Sequence, residues 1–437
     1  MPKAYNGSSE RKLFLGSTKI AKGYLGSECY YSAGAMVTYY ADSGSVYTEE
    51  HDDGTSALVP LAFTPAKDGW TFVGWREDNT ASGDILSSKV VAGEPITLYA
   101  VFKQDITCTV YNGSSTASSL EAKQRYYNNG NIVNPSFALW QASMSGWNAD
   151  GWCASNDATA SVAVANGGTV TLTANATYYG KYSQTITLSY NGNGATGGST
   201  SAQTGTRYYN SGNYSNPSFT IRSNGFSRSY YNFSQWALNS ASGTRYNAGA
   251  SITLSGNATL YAVWDASTSY KSVSKSVTTA LNNWAAVRTL VQYGVTFASN
   301  PSVSISGDNE QRVVLVKQTY AIVTSAHAQG GGTWSVTVTA KGTAYDSASA
   351  SGIGSATGSF TASINNWQGG SKTISFGKTF KSPPSVNWYS PNPSATALAS
   401  DWTINITNIT TTGCTISWGA QTGGATHELG WIAEGSV

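Results

Sequence analysis

At 437 residues the chain is too long for one core and must divide into several domains. Only 11% of it is charged, against about 25% in an average soluble protein, so hydroxyls and amides must carry its solubility. A net charge of +2 without any Lys/Arg run leaves no electrostatic footprint for nucleic acid or anionic lipid, and both are excluded as expected partners.

The amino terminus lacks the long apolar stretch of a secretory leader, and no later run approaches the roughly 18 to 20 apolar residues of a membrane span. Synthesis in a cytosol without membrane insertion is therefore expected. Residues 1–37 contain LFLGS from Leu13 and GYLGS from Gly23, ten residues on, which read as tandem β-hairpin elements. The acidic stretch EEHDDG, Glu49 to Gly54, lacks the alternating ligand spacing of a calcium loop and reads as a solvated turn, with no metal. Cys29, Cys108, Cys153 and Cys414 are far apart and have no C-x-x-C spacing, so buried free thiols are expected rather than a zinc site or a disulfide framework.

Three repeats come next, at 38–104, 105–183 and 184–266. The second and third open on alternating strands, ITCTVYNGSS from Ile106 and ITLSYNGNGA from Ile186. Each then carries an unusually specific string, RYYNNGNIVNPSF from Arg125 and RYYNSGNYSNPSF from Arg207, 82 residues apart. A tryptophan, a Gly-containing turn and a closing strand follow. The first repeat is degenerate: FVGW at Trp75 precedes Tyr99 by 24 residues, as Trp236 precedes Tyr261 by 25. Asn-Asn-Gly and Asn-Ser-Gly read as turns tolerant of positive φ, and Asn-Pro as a break that fixes the entry of the next strand. The Tyr pair is expected to pack within its module or against a neighbour.

The C-terminal half repeats at a different offset. Asn282-Asn283-Trp284 recurs as Asn365-Asn366-Trp367, Gly294 as Gly377, Phe297 as Phe380, and Pro301-Ser302-Val303 as Pro384-Ser385-Val386, all displaced by 83 residues. Two sandwiches are expected, at 267–350 and 351–437. Alternation in Trp402-Thr-Ile404-Asn-Ile406 and Cys414-Thr-Ile416-Ser-Trp418 marks strands with one buried face. Parity puts Trp402 and Trp418 on the buried side and His427 at the start of the face that holds Leu429 and Trp431. Trp388 and Tyr389, being adjacent, point to opposite faces. No window shows a long 3.6-residue periodicity, and Gly, Asn and Ser punctuate the chain about every ten residues, as in β-sandwiches.

FVGW with LYAVF and FSQW with LYAVW resemble the Listeria-Bacteroides, or internalin B-type, repeat; DGWC with ATYYG in the second module departs from it. That resemblance implies small grasp-like β modules used as a spacer or adhesive stalk, without catalysis. ISFGKTFKSPPSVNWYS, WTINITNITTTGCTISW and LGWIAEG resemble the H-type lectin domain, an antiparallel sandwich. The N-terminal hairpin segment looks like those of tail proteins of phages that infect Gram-positive bacteria.

Enzyme signatures are absent. His51, His327 and His427 stand apart, with no H-E-x-x-H, G-x-S-x-G or P-loop, and after Asp346 only Asp401, Glu428 and Glu434 supply carboxylates, none beside another. Aromatics are abundant, with 14 Trp and 27 Tyr. An exposed ring offers an apolar face to sugar C–H groups while Asn, Ser and Thr bond hydroxyls, although small β modules also use large rings to fill their cores. The candidate carbohydrate-binding residues are Trp388, Tyr389, Trp418 and His427, with no cofactor; the lectin family's own sugar-binding positions do not match residue by residue.

The expected architecture is all-β, an elongated array of small grasp-like modules followed by two antiparallel β-sandwiches. The resemblances imply a phage tail fibre or receptor-binding protein, located in the virion tail and made in the host cytoplasm. Its partners would be host cell-surface glycan and other virion tail proteins, and its assembly a homotrimer. The alternatives are a non-binding virion decoration or head fibre, and a bacterial surface adhesin.

Overall fold

The structure, a computed structural model, describes residues 34–437 except 114–115, 283–284, 308–310, 326–331, 366–367, 392–401 and 420–424, together with short strands between residues 14 and 32. Trp284, Trp367, His327, Asp401 and the side chain of Cys29 lie outside the described residues. The chain is all-β, as its patterning predicts; among the described residues the helical element is one 3-10 turn, Ala348–Ala350. Two compact units divide it: Met1–Thr187 with Gln203–Phe219 and Thr253–Asn257, and Leu188–Ala202 with Thr220–Ile252 and Ala258–Val437.

In the first unit the amino-terminal repeat forms two hairpins in identical register, Leu15 opposite Thr18 and Leu25 opposite Glu28. The first module is built on β1 (Ala35–Asp42), β2 (Thr71–Arg76) and β3 (Ile96–Ile106). β1 runs parallel to the start of β3, Val37 opposite Ile96, and β2 antiparallel to its middle, Trp75 opposite Ala100. The second module repeats this plan with β4 (Cys108–Tyr111), β6 (Asn148–Cys153) and β7 (Ala176–Asn191), with β5 (Lys123–Asn128) inserted between β4 and β6. In the second unit the third module pairs Leu188–Asn191 of β7 in parallel with β10 (Ala258–Ala266), and β9 (Tyr231–Leu238) antiparallel with β10; β8 (Gln203–Asn210) belongs to the first unit.

The tryptophan does the same work three times. Trp75, Trp152 and Trp236 are essentially solvent-free, and their indole N–H groups donate to the carbonyls of Leu58, Trp140 and Arg222 at 2.9, 3.1 and 3.0 Å. A two-residue bulge precedes each Trp and aims the ring inward, its extra residue, Val73, Asp150 or Ser234, two places before the Trp and its second residue immediately before it. In two modules that residue is a glycine at positive φ, Gly74 (147°) and Gly151 (143°). A methyl group on Gly151 would lie 2.6 Å from Val162 Cγ1 and 2.7 Å from the Val164 carbonyl, so a side chain is excluded there. In the third module Gln235 occupies the place without a positive φ. The second module keeps the geometry although its sequence departs most from the pattern.

The duplicated strings are split in their allegiance. The first half of each completes the module before its own. β5 pairs antiparallel with β3, placing Tyr127 opposite Phe102 and inside the first module's core, where it is 5% exposed. The Tyr127 hydroxyl donates to Asp42 and accepts the Ser43 amide at 3.2 Å, while Lys67 lies 4.0 Å above its ring. Burial pushes the Asp42 carboxyl up, but the bonds from Lys67, Tyr127 and the Ser43 amide outweigh it and hold the group below its ordinary range. Two asparagines then clasp three successive carbonyls of that module: Asn128 Nδ2 donates to Asp78 and Thr80 at 3.1 and 2.9 Å, and Asn131 Nδ2 to Asn79 at 2.7 Å. β8 does the same one module along. Tyr209 enters the second core, Asn210 bonds the carbonyls of Ser155 and Asp157 at 3.0 Å each, and Asn213 bonds that of Asn156 at 2.5 Å. Asn129-Gly130 and Ser211-Gly212 between the clasping residues have φ of 44° and 87°, and 44° and 93°, the two-residue hairpin turn that needs positive φ at both positions.

The second half of each string belongs to its own module. Phe137 is 1% exposed in the second core, and the Ser136 and Thr171 hydroxyls meet at 2.8 Å; on the equivalent strand pair of the third repeat the Ser218 and Thr253 hydroxyls meet at 2.7 Å, both residues lying in the first unit. A guanidinium stack marks each junction, Arg125 at 5.2 Å over Trp70 and Arg207 at 5.3 Å over Trp147. The third module has no string after it. Tyr231 stands where Trp70 and Trp147 stand, and Arg228 from the module's own loop covers it at 4.0 Å.

Two sandwiches complete the second unit, each built on two three-stranded sheets, with a short extra strand, Ala285–Ala286, on the first. The first has sheets β11 (Thr268–Asn282)–β16 (Gly332–Tyr345)–β13 (Ser302–Ser306) and β12 (Arg288–Gln292)–β15 (Tyr320–Ser325)–β14 (Gln311–Val316). The second repeats the order with β17 (Ile353–Ile364)–β22 (Ala425–Ser436)–β19 (Ser385–Tyr389) and β18 (Gly370–Ser375)–β21 (Gly413–Gly419)–β20 (Thr403–Thr407). Phe297 and Phe380, matched across the 83-residue offset, are both core residues. Cys108, Cys153 and Cys414 are buried free thiols.

Candidate functional site

The two sandwiches meet through unlike faces. β12–β15–β14 of the first turns Leu290, Tyr320 and Ile322 outward against Ile432 and Tyr389 from β22–β19 of the second; Tyr320, Ile322 and Ile432 are fully buried. Each such side chain contributes about 1.5–3 kcal/mol by leaving water. A carboxylate closes the seam. Glu434, 7% exposed, accepts the Thr319 amide at 2.8 Å, the Gln318 amide at 3.3 Å and the Thr319 hydroxyl, so its charge is met by three donors. Asn387 Nδ2 donates to the Tyr320 hydroxyl at 3.0 Å. Arg288 lies 4.4 Å over the Trp388 ring and donates from Nε to the Trp388 carbonyl at 3.2 Å.

Register shows how the copies diverged to make this seam once. At the places of Leu290, Tyr320 and Ile322 the second sandwich carries Thr373, Gly413 and Thr415; at those of Ile432 and Glu434 the first carries Thr339 and Lys341. The contact is head to tail, a geometry that propagates when every copy carries both faces. Here neither copy does. A sequence signal for the seam was present: Tyr-Ala-Ile-Val at 320–323 is apolar at every position, which marks a strand buried on both sides, whereas Cys-Thr-Ile-Ser at 414–417 alternates.

The four sequence-predicted residues therefore separate. Trp388 packs against the second core and under Arg288, and Tyr389 lies in the seam over Gly430, so neither ring is a free platform. Trp418 and His427 approach neighbouring positions of β17: the Trp418 indole donates to the Ser363 carbonyl at 2.9 Å, and His427 stands opposite Ala362. Trp402 joins them, its ring edge-on to His427 at 4.8 Å. As parity predicts, Trp402 and Trp418 pack on the core and His427 begins the buried face of Leu429 and Trp431. All three rings are half-buried, and Trp402 Nε1 has no hydrogen-bond partner among the described residues. Elsewhere the acidic stretch is a solvated turn only from Asp52 on: Glu49 to His51 end the strand Ser45–His51, where Glu49 accepts the Leu61 and Ala62 amides at 2.7 and 2.9 Å and His51 is buried 3.0 Å from the Tyr39 hydroxyl.

Buried phenols give the fold an alkaline limit. Burial raises Tyr39, Tyr293 and Tyr320 well above the ordinary tyrosine range, the last two with help from Glu434, and pushes Tyr182 up to about 12 from 10.0. The folded state favours the neutral phenol, so this stability is complete below the unfolded value of about 10 and is lost as pH rises through the folded values. Phenolate absorbance followed against circular dichroism should show exposed tyrosines ionising first, and a late class that ionises only with loss of structure, beginning near pH 12 or above.

Residues 36–101 and 187–263 match the family model of the Listeria-Bacteroides repeat domain, the segments of the first and third modules. No curated protein and no solved structure matches the chain. Two segments of the chain are thus similar to the Listeria-Bacteroides repeat, and the intervening second module shares the strand plan, buried tryptophan and bulge of its two neighbours.

Proposed function

We propose that the chain is a virion attachment protein, a phage tail fibre or receptor-binding protein in which the repeat modules act as spacers and the terminal lectin-like sandwich binds host cell-surface glycan. Binding, not catalysis, is the activity. The observation that carries the reading is the corner formed by Trp402, Trp418 and His427, three half-buried rings left outside the seam at one end of the last sandwich. Partly exposed rings suit sugar recognition. Single sugar contacts are weak, so several copies per particle, as in a homotrimer joined to other tail proteins, raise the effective affinity.

The test is a microarray of bacterial surface polysaccharides probed with the full chain and with His427→Ala. Glycan binding that falls at least about tenfold in the variant supports the reading, equivalent to about 1.4 kcal/mol. A folded chain that binds no glycan favours the second reading, a non-binding virion decoration. That alternative draws on the placement of Trp388 and Tyr389, which are spent on joining the two sandwiches.

A further inference from the structure

The first sandwich has an exposed sheet face of hydroxyls that also carries one ammonium and one large exposed ring. Ser302, Ser304 and Ser306 of β13 stand opposite Lys341, Thr339 and Thr337 of β16. The three facing positions of β11 are also serines, and the Ser274 and Thr339 hydroxyls lie 2.8 Å apart. These three rows hold hydroxyls and one ammonium, with no carboxylate and no aliphatic side chain. Tyr270 continues the same face along β11, since it shares parity with Ser272 and Ser274, and is 72% exposed, the most exposed of the large apolar residues described.

This face is not built to receive protein. Where the second sandwich uses it as a seam, it carries Ile432, Tyr389 and Glu434; here Thr339, Ser306 and Lys341 occupy those places. Nothing on the rows can form the apolar centre that a protein interface requires. Donors and acceptors at fixed spacing, beside one exposed ring, match a polyol. From Tyr270 to Ser276 the face extends about 20 Å, longer than one sugar ring.

We propose that this face is a second glycan-contacting surface, taking an extended neutral polysaccharide along β11 and β16 with the Tyr270 ring as its stacking platform. The proposal rests on the reading of the chain as a glycan binder, but places contact on a different domain from the Trp402–His427 corner. The hydroxyl rows hydrogen-bond successive sugars, and Lys341 donates to ring or hydroxyl oxygens.

Affinity electrophoresis of the full chain in native gels containing dextran, mannan or galactan tests it. Retardation is expected in at least one gel. Tyr270→Ser, at an exposed position that leaves the fold intact, should weaken it about three- to tenfold, and Thr339→Glu should abolish it by setting a carboxylate among the rows; Ser304→Glu repeats that test should the first variant fold poorly. His427→Ala should leave this retardation in place. Absence of retardation in every gel overturns the proposal. So does retardation that only His427→Ala removes, an outcome that leaves the terminal-sandwich reading standing. A change in oligomeric mass on Thr339→Glu, seen by light scattering, would assign the face to contact between copies and overturn the proposal as well.

Discussion

Trp152→Ala is expected to destabilise the second module by about 3–5 kcal/mol, the range for removing a large buried aromatic. The ring is fully enclosed among Phe137, Leu139, Leu172 and Tyr182, and its loss leaves a cavity between a bulged strand and the loop at Trp140. The Trp140 carbonyl loses its indole donor at the same time. Trp152→Phe keeps most of the volume and should cost markedly less. Urea unfolding followed by the fluorescence of the remaining tryptophans checks both; equal small effects would mean that the loop, not the ring, organises the module. The same substitution at Trp75 or Trp236 should behave alike, because all three rings share burial and bonding.

Tyr127→Ala is expected to destabilise the first module by about 3–5 kcal/mol, although Tyr127 is numbered among the residues of the second. Its ring touches Trp70 and Phe102 at centroid distances of 5.7 and 6.4 Å, and its hydroxyl holds Asp42. Tyr127→Phe keeps the ring and removes only the hydroxyl bonds, a net loss of about 1 kcal/mol. The depressed Asp42 carboxyl adds a pH signature. Its stabilisation is present above the unfolded value of about 3.9 and falls away as the pH drops toward the lower folded value, and Tyr127→Phe should blunt that dependence. Thermal melts of wild type and both variants between pH 2 and pH 6 would show it.

Much of this architecture is legible in the sequence, and the gaps have physical causes. Tandem repeats, buried tryptophans and alternating strands follow from periodicity, which is local. The positive φ of Asn129-Gly130 and Ser211-Gly212 follows from turn chemistry, also local. Which neighbour receives a strand is not local: Arg-Tyr-Tyr-Asn reads identically whether it pairs inside its own module or with the preceding one. Only the long reach of β3 past the end of its own module, through Ile106, makes room for β5. In the sandwiches, parity placed Trp402, Trp418 and His427 correctly with respect to the core. It gave Trp388 and Tyr389 opposite faces but not the seam that covers Tyr389, because that depends on which apolar face the other copy presents.

The central claim is that the first half of each duplicated string belongs to the module before it. Hydrogen exchange by mass spectrometry on the full chain carrying Asn128→Ala tests it most directly. Asn128 is fully buried and donates to the carbonyls of Asp78 and Thr80. Faster exchange at residues 76–81 and in β3, with Ser136–Ala138 and β6 unchanged, is the predicted result. Faster exchange confined to the second module, with residues 76–81 unaffected, would contradict it.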